Sequence, residues 1–269
     1  MNVKLIIAMH KPWEIPQGEI YLPLFVGAIG KENIIINGKA IERDDNGDNI
    51  SPKNPNYCEL TGLYYAWKNI DADAIGLVHY RRHFSNKSWL YRKAHMPFEC
   101  TLTDDEALEL MAEYDIVVPK LRNYYIETLY SHYANTHDAR HQDLTKEIIK
   151  EKFPDLLPFL QKAYDSKSGH MFNMCILKRE LLDEYCSFLF DVLGELEKQV
   201  DTANLSSFDA RLFGRVSEII FNAWIFKKRD EGIKIKEIPY IHMEKVNWLK
   251  KVIKFLAAKF FRVKYTQSS

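Results

Sequence analysis

The chain has 269 residues, with 37 Lys and Arg balanced by 37 Asp and Glu, so its formal net charge is zero. Hydrophobic residues make up 46% and charged residues 28%, which is typical of a globular protein and too apolar for a disordered one. The neutral total excludes a globally basic nucleic-acid binder, and no apolar run approaches the roughly 18 residues of a membrane span.

The first half of the chain predicts strands and a helix separated by loops. Val3–Met9 is an apolar, β-rich run that predicts a buried first strand, and Ile34–Ile36 predicts a short second one. Residues 42–55 are polar and rich in turn formers, which indicates a loop. Tyr57–Asn69 has apolar residues at helical spacing and predicts a helix, and Asp73–His79 predicts a strand that ends in a charged cluster.

The second half continues this alternation. Thr103 with Glu106 forms a capping-box signature for a helix to about Tyr114, and Asp115–Val118 predicts a strand that Pro119 stops. The elements predicted after it are helices near 124–135 and 142–163, the second broken at Pro154 and Pro158, a strand at Met171–Leu177, helices at Arg179–Lys198 and Ser207–Lys228, and a strand at Ile233–Ile238. Alternating strands and helices predict an α/β fold with a mainly parallel sheet. We expect one domain over residues 1–245 and a C-terminal appendage over residues 246–269.

Basic residues follow several of the predicted strands. His10 and Lys11 follow the first strand, the sequence His79-Tyr80-Arg81-Arg82-His83 follows the strand AIGLV, and Lys120 and Arg122 follow DIVVP. Ligands of open α/β sheets bind beyond the carboxyl ends of the strands. The clusters therefore indicate an anionic ligand, and two adjacent arginines suit a diphosphate. The alternative is that one arginine caps a helix or pairs with a surface carboxylate.

Motifs for metal binding are weak. His79 and His83 are four residues apart, but there is no HExxH pattern and no nearby cysteine. The loop Asp44–Asn54 contains part of a calcium-loop pattern, but its spacing fails the EF-hand rule, so it is either a solvated turn or a loop that contacts a nucleotide or sugar. Asp71-Ala72-Asp73 has the spelling of a DxD motif but precedes its strand, at the wrong end of the sheet. No metal site is predicted.

The predicted helix at Ser207–Lys228 has one polar ridge. Arg211, Arg215 and Glu218 lie at helical spacing on one face, and strongly apolar residues surround Glu218. Burial of a glutamate raises its pKa, which suits it to act as a general base near neutral pH. The alternative is a surface row of ion pairs.

Six motifs occur in this order along the chain: HKPWEIP, GDNISPKNPNYCELTGLYYAWKN, IGLVHYRRHF, IVVPKLRNYYIETLYSHY, HMFNMCILKRELLDEYCSFLF and FDARLFGRVSEIIFNAWI. Together they resemble a bacterial family of capsular and O-antigen polysaccharide glycosyltransferases that includes galactofuranosyltransferase domains. The resemblance covers about residues 5–240. It implies a GT-A-like, Rossmann-type fold and an inverting transfer of a hexose from a UDP-sugar, with galactofuranose or galactose favoured. The implied acceptor is a lipid-linked or growing chain in capsule, O-antigen or exopolysaccharide synthesis.

The resemblance also implies roles for individual residues. Glu218 matches the catalytic carboxylate and is the expected base, with Asp209 in reserve. The residues expected to bind the donor and its diphosphate are His10, Lys11, Asp48, Asn49, Asn54, Tyr57, Glu59, His79, Arg81, Arg82, Arg211 and Arg215. The residues expected to bind the acceptor are Arg122, His170, Asn173 and Met174.

A metal-binding DxD usually ends the central strand of GT-A enzymes, whereas this chain has His79-Tyr80-Arg81-Arg82 at that place. The hypothesis is that cationic side chains replace the divalent ion, so that no cofactor is required and a metal is the less favoured alternative. Two other functions stay open: a nucleotidyl- or phosphosugar-processing enzyme, and a non-catalytic module that binds a nucleotide or glycan. The non-catalytic module would tolerate replacement of Glu218.

The neutral total conceals an asymmetry. From Trp248 onward the chain has six basic residues and no acidic one, so residues 1–247 carry a formal charge of −6. Apolar residues between Trp248 and Phe260 fall on one helical face, with lysines on the other. This pattern predicts an amphipathic helix that binds an anionic membrane through residues 248–264. We therefore expect a cytoplasmic protein at the inner face of the plasma membrane. A helix docked on the domain is the alternative.

Overall fold

The computed structural model describes residues 1–244, so the predicted basic helix at residues 246–269 lies outside the described residues. The strands are β1 Val3–Met9, β2 Tyr21–Phe25, β3 Ile35–Ile36, β4 Lys39–Ala40, β5 Glu42–Arg43, β6 Ala74–His79, β7 Arg82–Phe84, β8 Ile116–Pro119, β9 Arg122–Asn123, β10 Ser168–Gly169, β11 Cys175–Lys178, β12 Ile235–Ile238 and β13 Tyr240–His242. The helices are α1 Asn54–Tyr57, α2 Leu60–Asn69, α3 Trp89–Ala94, α4 Asp104–Glu113, α5 Leu129–Thr136, α6 Arg140–Lys152, α7 Leu157–Asp165, α8 Arg179–Gln199 and α9 Leu212–Asp230. Short 3-10 turns precede α1, α4, α7 and α9.

A mostly parallel sheet forms the centre of the fold. Its main strand order is β12-β8-β11-β6-β1-β2-β5. The pairs β1–β2, β1–β6, β2–β5 and β8–β12 are parallel, and β11 runs antiparallel to both of its neighbours. The α/β fold with a mainly parallel sheet and flanking helices is therefore as predicted, and it has the GT-A-like architecture.

Both faces of the sheet are buried. In β1, Ile6 and Ala8 belong to the larger core, while Leu5, Ile7 and Met9 belong to the smaller core on the other face. Successive side chains of a strand point to opposite faces, so a strand covered on both sides has a continuous apolar sequence. This explains why the first strand could be predicted from an uninterrupted apolar run.

Close packing at the centre of the sheet requires a glycine. A Cβ on Gly76 of β6 would lie 2.5 Å from Cδ2 of Leu5 and 2.7 Å from the carbonyl oxygen of Cys175. Both neighbouring strands would have to move to admit it. Gly76 thus holds β6 close to β1 and β11, just before β6 reaches the charged cluster that begins at His79.

Some elements differ from those predicted. The segment Tyr21–Phe25 was not predicted, because Pro23 interrupts its apolar run. It forms β2 beside β1, and β5 pairs only with Leu24 and Phe25, so Pro23 has no strand partner on that side. The predicted loop 42–55 contains β5 and a 3-10 turn, and the predicted strand at residues 34–36 is part of a separate hairpin.

Two predicted elements are interrupted by backbone with positive φ. The helix predicted at Tyr57–Asn69 breaks at Cys58, whose φ is 54°. The strand predicted at Met171–Leu177 begins only at Cys175, since Phe172 and Asn173 have φ values of 74° and 52°. Side chains other than glycine rarely adopt this conformation, so neither break was visible in the sequence. No helix within residues 1–244 has both the length and the apolar character needed to cross a membrane.

Candidate functional site

The carboxyl ends of β1, β6 and β8 meet at one edge of the sheet, and a cleft of about 700 Å³ lies there. Because β11 runs antiparallel, the segment before its first residue reaches the same edge. The turn from β6 into β7 pairs His79 with Arg82 and places both at the cleft. The first turns of α9 and the break between α1 and α2 complete its walls.

The cleft is strongly basic. Five arginines line it, against two carboxylates, Glu59 and Glu218. The five are Arg81, Arg82, Arg122, Arg211 and Arg215. Arg81 forms an ion pair with Glu244, at 3.6 Å. This excess of positive charge favours an anionic ligand.

Three of these arginines have no carboxylate partner within residues 1–244: Arg82, Arg122 and Arg215. Burial lowers the pKa of both Arg82 and Arg215, and Nε of Arg82 is buried without a hydrogen-bond partner among the described residues. A buried guanidinium group that has lost water and gained no carboxylate is stabilised by an anion. These arginines are therefore available to a ligand.

The ring of Phe172 lies close to two of the arginines. The Arg82 guanidinium carbon is 4.4 Å from the centroid of the Phe172 ring, and that of Arg122 is 5.8 Å from it. Tyr240 meets the same ring edge-on at 5.2 Å. Cation–π contacts of this kind hold the guanidinium groups in place without using their N–H donors.

The strained turn at Phe172 and Asn173 is held by hydrogen bonds on every side. His79 Nε2 lies 2.6 Å from the carbonyl oxygen of Phe172, and the Phe172 N–H donates to Oε1 of Glu218 at 3.0 Å. Nδ2 of Asn173 donates to Oε1 of Glu59 at 2.7 Å and to the Gly214 carbonyl at 2.9 Å. The turn thus joins both carboxylates of the cleft to the sheet.

The surroundings of Glu218 favour the protonated form of its carboxyl group. Loss of hydration and the nearby charge of Glu59 raise the pKa of Glu218 from 4.5 to about 7, against the opposing effects of Arg122, Arg82 and the Phe172 N–H. Part of the side chain still faces the cleft. A carboxylate with a pKa near neutrality can accept a proton from a bound hydroxyl group. The burial predicted from its apolar neighbours is present.

Two histidines of the cleft lie in surroundings that favour the neutral form of the ring. Burial lowers the pKa of His79, and burial together with the charges of Arg81 and Lys11 lowers the pKa of His10. Because a carbonyl oxygen only accepts hydrogen bonds, His79 carries its proton on Nε2, which donates to Phe172. The charge of the cleft therefore comes from the arginines.

Most of the predicted site residues line this one cleft. Those that do are His10, Asn54, Glu59, His79, Arg81, Arg82, Arg122, Arg211, Arg215 and Glu218. Lys11 does not line the cleft, but its Nζ lies 5.8 Å from the ring centroid of Tyr80, which does. Asp209 lines a separate cavity rather than the cleft.

Three residues expected to contact the donor are engaged elsewhere. Asp48 accepts a hydrogen bond from the Tyr64 hydroxyl at 3.1 Å, and Asn49 bonds to the backbone of its own turn. Their loop is folded against α2. Tyr57 is buried, with its ring centroid 4.7 Å from that of Phe213 and its hydroxyl donating to Glu197 at 3.2 Å. None of these side chains lines the cleft, contrary to expectation.

Three residues expected to contact the acceptor are also absent from its lining. His170 is buried, with Nδ1 donating to the Pro119 carbonyl at 2.6 Å, and its backbone forms two hydrogen bonds with Asn222. Met174 is fully buried in the smaller core. Asn173 acts on the cleft through Glu59 rather than from its surface. These three side chains therefore lie around the turn at Phe172 and not on the surface of the cleft.

Several lining residues were missed in the sequence. Phe172 lies within the motif HMFNMC, and Tyr124, His132, Tyr133 and His137 lie on or beside α5, within or just after the motif IVVPKLRNYYIETLYSHY. Aromatic residues of this kind are more often part of a core, so composition alone did not select them. Their place within, or just after, motifs that follow the strand DIVVP or lead into β11 was the usable signal.

Carboxylates that could serve as metal ligands already have hydrogen-bond partners. Within residues 1–244, no group of three His, Cys, Asp or Glu side chains is placed to hold a metal ion. Glu59 is bonded to Asn173 and Glu218 to Phe172, and Asp73 of the DxD-like sequence accepts from the backbone of Asn2, at the opposite edge of the sheet.

Comparison with known proteins places this chain in a family. The model of the family described as "Domain of unknown function (DUF4422)" matches residues 4–229. The apo structure of WbbM, a bifunctional glycosyltransferase, superposes with a TM-score of 0.81 and 28% sequence identity over 91% of this chain. The match covers 46% of that chain, so this chain spans about half the length of the structure it resembles. No curated protein matches the chain in sequence.

Proposed function

Because the chain belongs to the DUF4422 family and resembles half of a glycosyltransferase, we propose that it is a glycosyltransferase that uses a nucleotide-diphosphate sugar. One observation carries the proposal: a carboxylate with a pKa of about 7, Glu218, shares a cleft with arginines that have no carboxylate partner within residues 1–244. A base and an anion site in one cleft are what glycosyl transfer from a diphosphate requires.

The arginines bind the diphosphate of the donor. Arg82 and Arg122 flank Phe172 at the strand ends, and Arg211 and Arg215 face them from the start of α9. Guanidinium groups bind phosphate oxygens through paired N–H donors and keep their charge at any working pH. As the sugar leaves, they stabilise the negative charge that develops on the diphosphate. We therefore propose that transfer does not depend on a divalent metal.

Glu218 is the base of an inverting transfer. The acceptor hydroxyl gives its proton to the Glu218 carboxylate while its oxygen bonds to the anomeric carbon. The bond from that carbon to the diphosphate oxygen breaks on the opposite side, and its electron pair stays with the nucleoside diphosphate. The products are a glycoside and a nucleoside diphosphate, with inverted anomeric configuration. Asp209 lies in the neighbouring cavity and does not line the cleft, which favours Glu218 for this role.

The finer identity of the substrates rests on the sequence resemblance. It favours a UDP-hexose donor, with galactofuranose or galactose as the sugar, and a lipid-linked or growing polysaccharide acceptor of capsule, O-antigen or exopolysaccharide synthesis. A lipid-linked acceptor agrees with the predicted membrane-binding helix at residues 248–264, which lies outside the described residues. On this proposal the protein acts at the cytoplasmic face of the membrane.

The test is a screen of UDP-sugars, including UDP-galactofuranose, with a lipid-linked acceptor mimic and in excess chelator. We expect UDP release by the wild-type protein and, in the Glu218→Gln variant, loss of transfer with retained UDP binding. Glu180→Gln on α8 is the matched control, since Glu180 is exposed and lines neither cavity.

Each outcome separates one part of the proposal. Release of pyrophosphate instead of UDP would indicate nucleotidyl transfer. UDP binding without turnover of any donor, in wild type and variant alike, would indicate a binding module. Near-normal turnover by Glu218→Gln would remove Glu218 from the role of base. Complete loss of activity in chelator would contradict metal independence alone.

A further inference from the structure

A second cavity, of about 400 Å³, adjoins the cleft. Tyr133, His137 and Arg215 line both spaces and form their common wall. Arg215 is fixed in this wall, because its guanidinium carbon lies 4.1 Å from the ring centroid of Phe208 and its Nη1 lies 3.4 Å from Nδ1 of His137. A ligand that fills the second cavity therefore contacts residues that also face the donor.

The second cavity has the opposite charge balance to the cleft. Three aspartates line it, Asp138, Asp201 and Asp209, with two arginines, Arg140 and Arg215. Arg140 bonds to both carboxylate oxygens of Asp138 and lowers the pKa of that carboxyl to about 2, so these two charges offset each other. The remaining charges are the carboxylates of Asp201 and Asp209 and the guanidinium group of Arg215. Such a surface repels a phosphate group and accepts hydrogen bonds from hydroxyl groups.

The lining of this cavity contains both hydrogen-bonding groups and aliphatic side chains. The Tyr133 hydroxyl lies 3.0 Å from Nδ1 of His141, and both side chains are nearly fully buried. Leu144, Val200 and Leu205 supply apolar wall. The lining therefore offers several hydrogen-bond partners beside an apolar surface. A sugar ring presents hydroxyl groups at its edge and C–H groups on its faces, which matches this lining.

We propose that the second cavity binds a neutral sugar unit of the acceptor. This inference rests on the proposed function and adds the place and chemical class of the second substrate. Arg215 and Glu218 are three residues apart on α9, so they share a face, with Cβ atoms roughly 5–6 Å apart. A hydroxyl group that extends past Arg215 from the second cavity therefore enters the cleft that Glu218 lines. In this arrangement the donor diphosphate occupies the basic cleft and the uncharged acceptor the acidic cavity.

The test measures two ligands on the full chain. UDP is titrated by calorimetry, and methyl β-galactopyranoside and methyl α-glucopyranoside are followed by saturation-transfer NMR in the presence of UDP. Leu205→Trp fills the cavity, and Asp201→Ala removes an exposed carboxylate with little risk to folding. Leu108→Trp on α4 is the matched control, since Leu108 is exposed and lines neither cavity.

We expect at least one glycoside to bind the wild-type protein. Both cavity variants should weaken that binding roughly tenfold, with UDP affinity unchanged, and Leu108→Trp should alter neither ligand. Absence of glycoside binding, binding unchanged in both cavity variants, or displacement of the glycoside by UDP would each overturn the inference. Failure of the wild-type protein to bind UDP would instead contradict the proposed function.

Discussion

The carboxylate of Glu218 accepts a hydrogen bond from the backbone N–H of Phe172, at 3.0 Å, across the gap between α9 and the strand edge. Phe172 has a φ of 74°, and the Arg82 guanidinium group makes a cation–π contact with its ring. The same residue therefore sets the orientation of the proposed base and of a proposed phosphate-binding arginine. A change of this turn moves both groups together, which couples proton transfer to donor binding.

The first prediction concerns the pH dependence of turnover. Since Glu218 acts as a base only when ionised and its pKa is about 7, kcat/KM should rise with pH through about 7 and then level off. Steady-state kinetics of UDP release between pH 5 and 9 measures this profile. A profile already level at pH 5 would mean that an ordinary carboxylate, or none, limits the reaction.

The second prediction concerns stability. The folded state holds the Glu218 proton to about pH 7, whereas the ordinary pKa of a glutamate is 4.5, so the stability of the wild type falls as pH rises between these values. Glu218→Gln keeps an acceptor for the Phe172 N–H and has no charge to bury. We expect it to be more stable than wild type by about 2–3 kcal/mol at pH 8.

Urea denaturation at pH 8 and pH 5 measures this difference, and the gain should be much smaller at pH 5. Glu180→Gln serves again as the control, because its side chain is exposed. A difference between wild type and Glu218→Gln that does not change with pH would mean that the folded protein does not raise the pKa of Glu218.

The third prediction separates neighbouring arginines. Arg82 is partly buried with an unpartnered Nε and no carboxylate partner within residues 1–244, whereas Arg81 is exposed and paired with Glu244. A hydrogen bond to a charged group contributes about 1.5–3 kcal/mol, so Arg82→Gln should weaken UDP binding about 10- to 100-fold. Arg81→Gln should weaken it less.

Calorimetric titration with UDP at two salt concentrations distinguishes these variants, with Lys150→Gln on exposed α6 surface as the charge-matched control. Equal losses for Arg81→Gln and Arg82→Gln would indicate a general electrostatic effect of the cleft rather than a specific contact by Arg82.

The fold and much of the cleft could be predicted because they depend on short-range patterns. The apolar run of β1 and the helical spacing around Glu218 are visible in the sequence, and the rule for strand ends brought His10, His79 and Arg122 to one edge. The turn at Phe172 could not be predicted, because its positive φ is maintained by hydrogen bonds from distant residues.

The dependence on distant contacts also explains why some of the predicted site residues do not line the cleft. Met174 and Tyr57 stand within motifs that reach the cleft, but their side chains point into the cores. Asp48 has the chemistry of a sugar-binding residue, yet Tyr64 holds it against α2. A motif locates a segment of the chain, whereas the direction of each side chain depends on packing that arises only in the folded protein.

The fourth prediction concerns His83, which is fully buried in β7, with neither ring nitrogen hydrogen-bonded within the described residues. Burial, with a smaller effect of His79, lowers the pKa of His83 from 6.5 to about 3. Between these values the unfolded chain binds the additional proton, so the wild type loses stability as pH falls, by about 1.4 kcal/mol per pH unit at most. An apolar side chain of similar size has neither the unpaired nitrogens nor this proton linkage.

His83→Leu should therefore be more stable than wild type by about 1–2 kcal/mol at pH 8. At pH 5 this difference in stability should be larger by a further amount of about 2 kcal/mol. Urea denaturation at both values measures this, and His95→Leu is the control, because His95 is exposed on the far end of α3. A parallel loss of stability in acid by wild type and His83→Leu would show that His83 is already charged, or hydrated, in the folded protein. In that case the two ring nitrogens of His83 would be hydrogen-bonded to buried water. That water would have to lie beside the ring of Tyr21, whose centroid is 5.8 Å from that of His83.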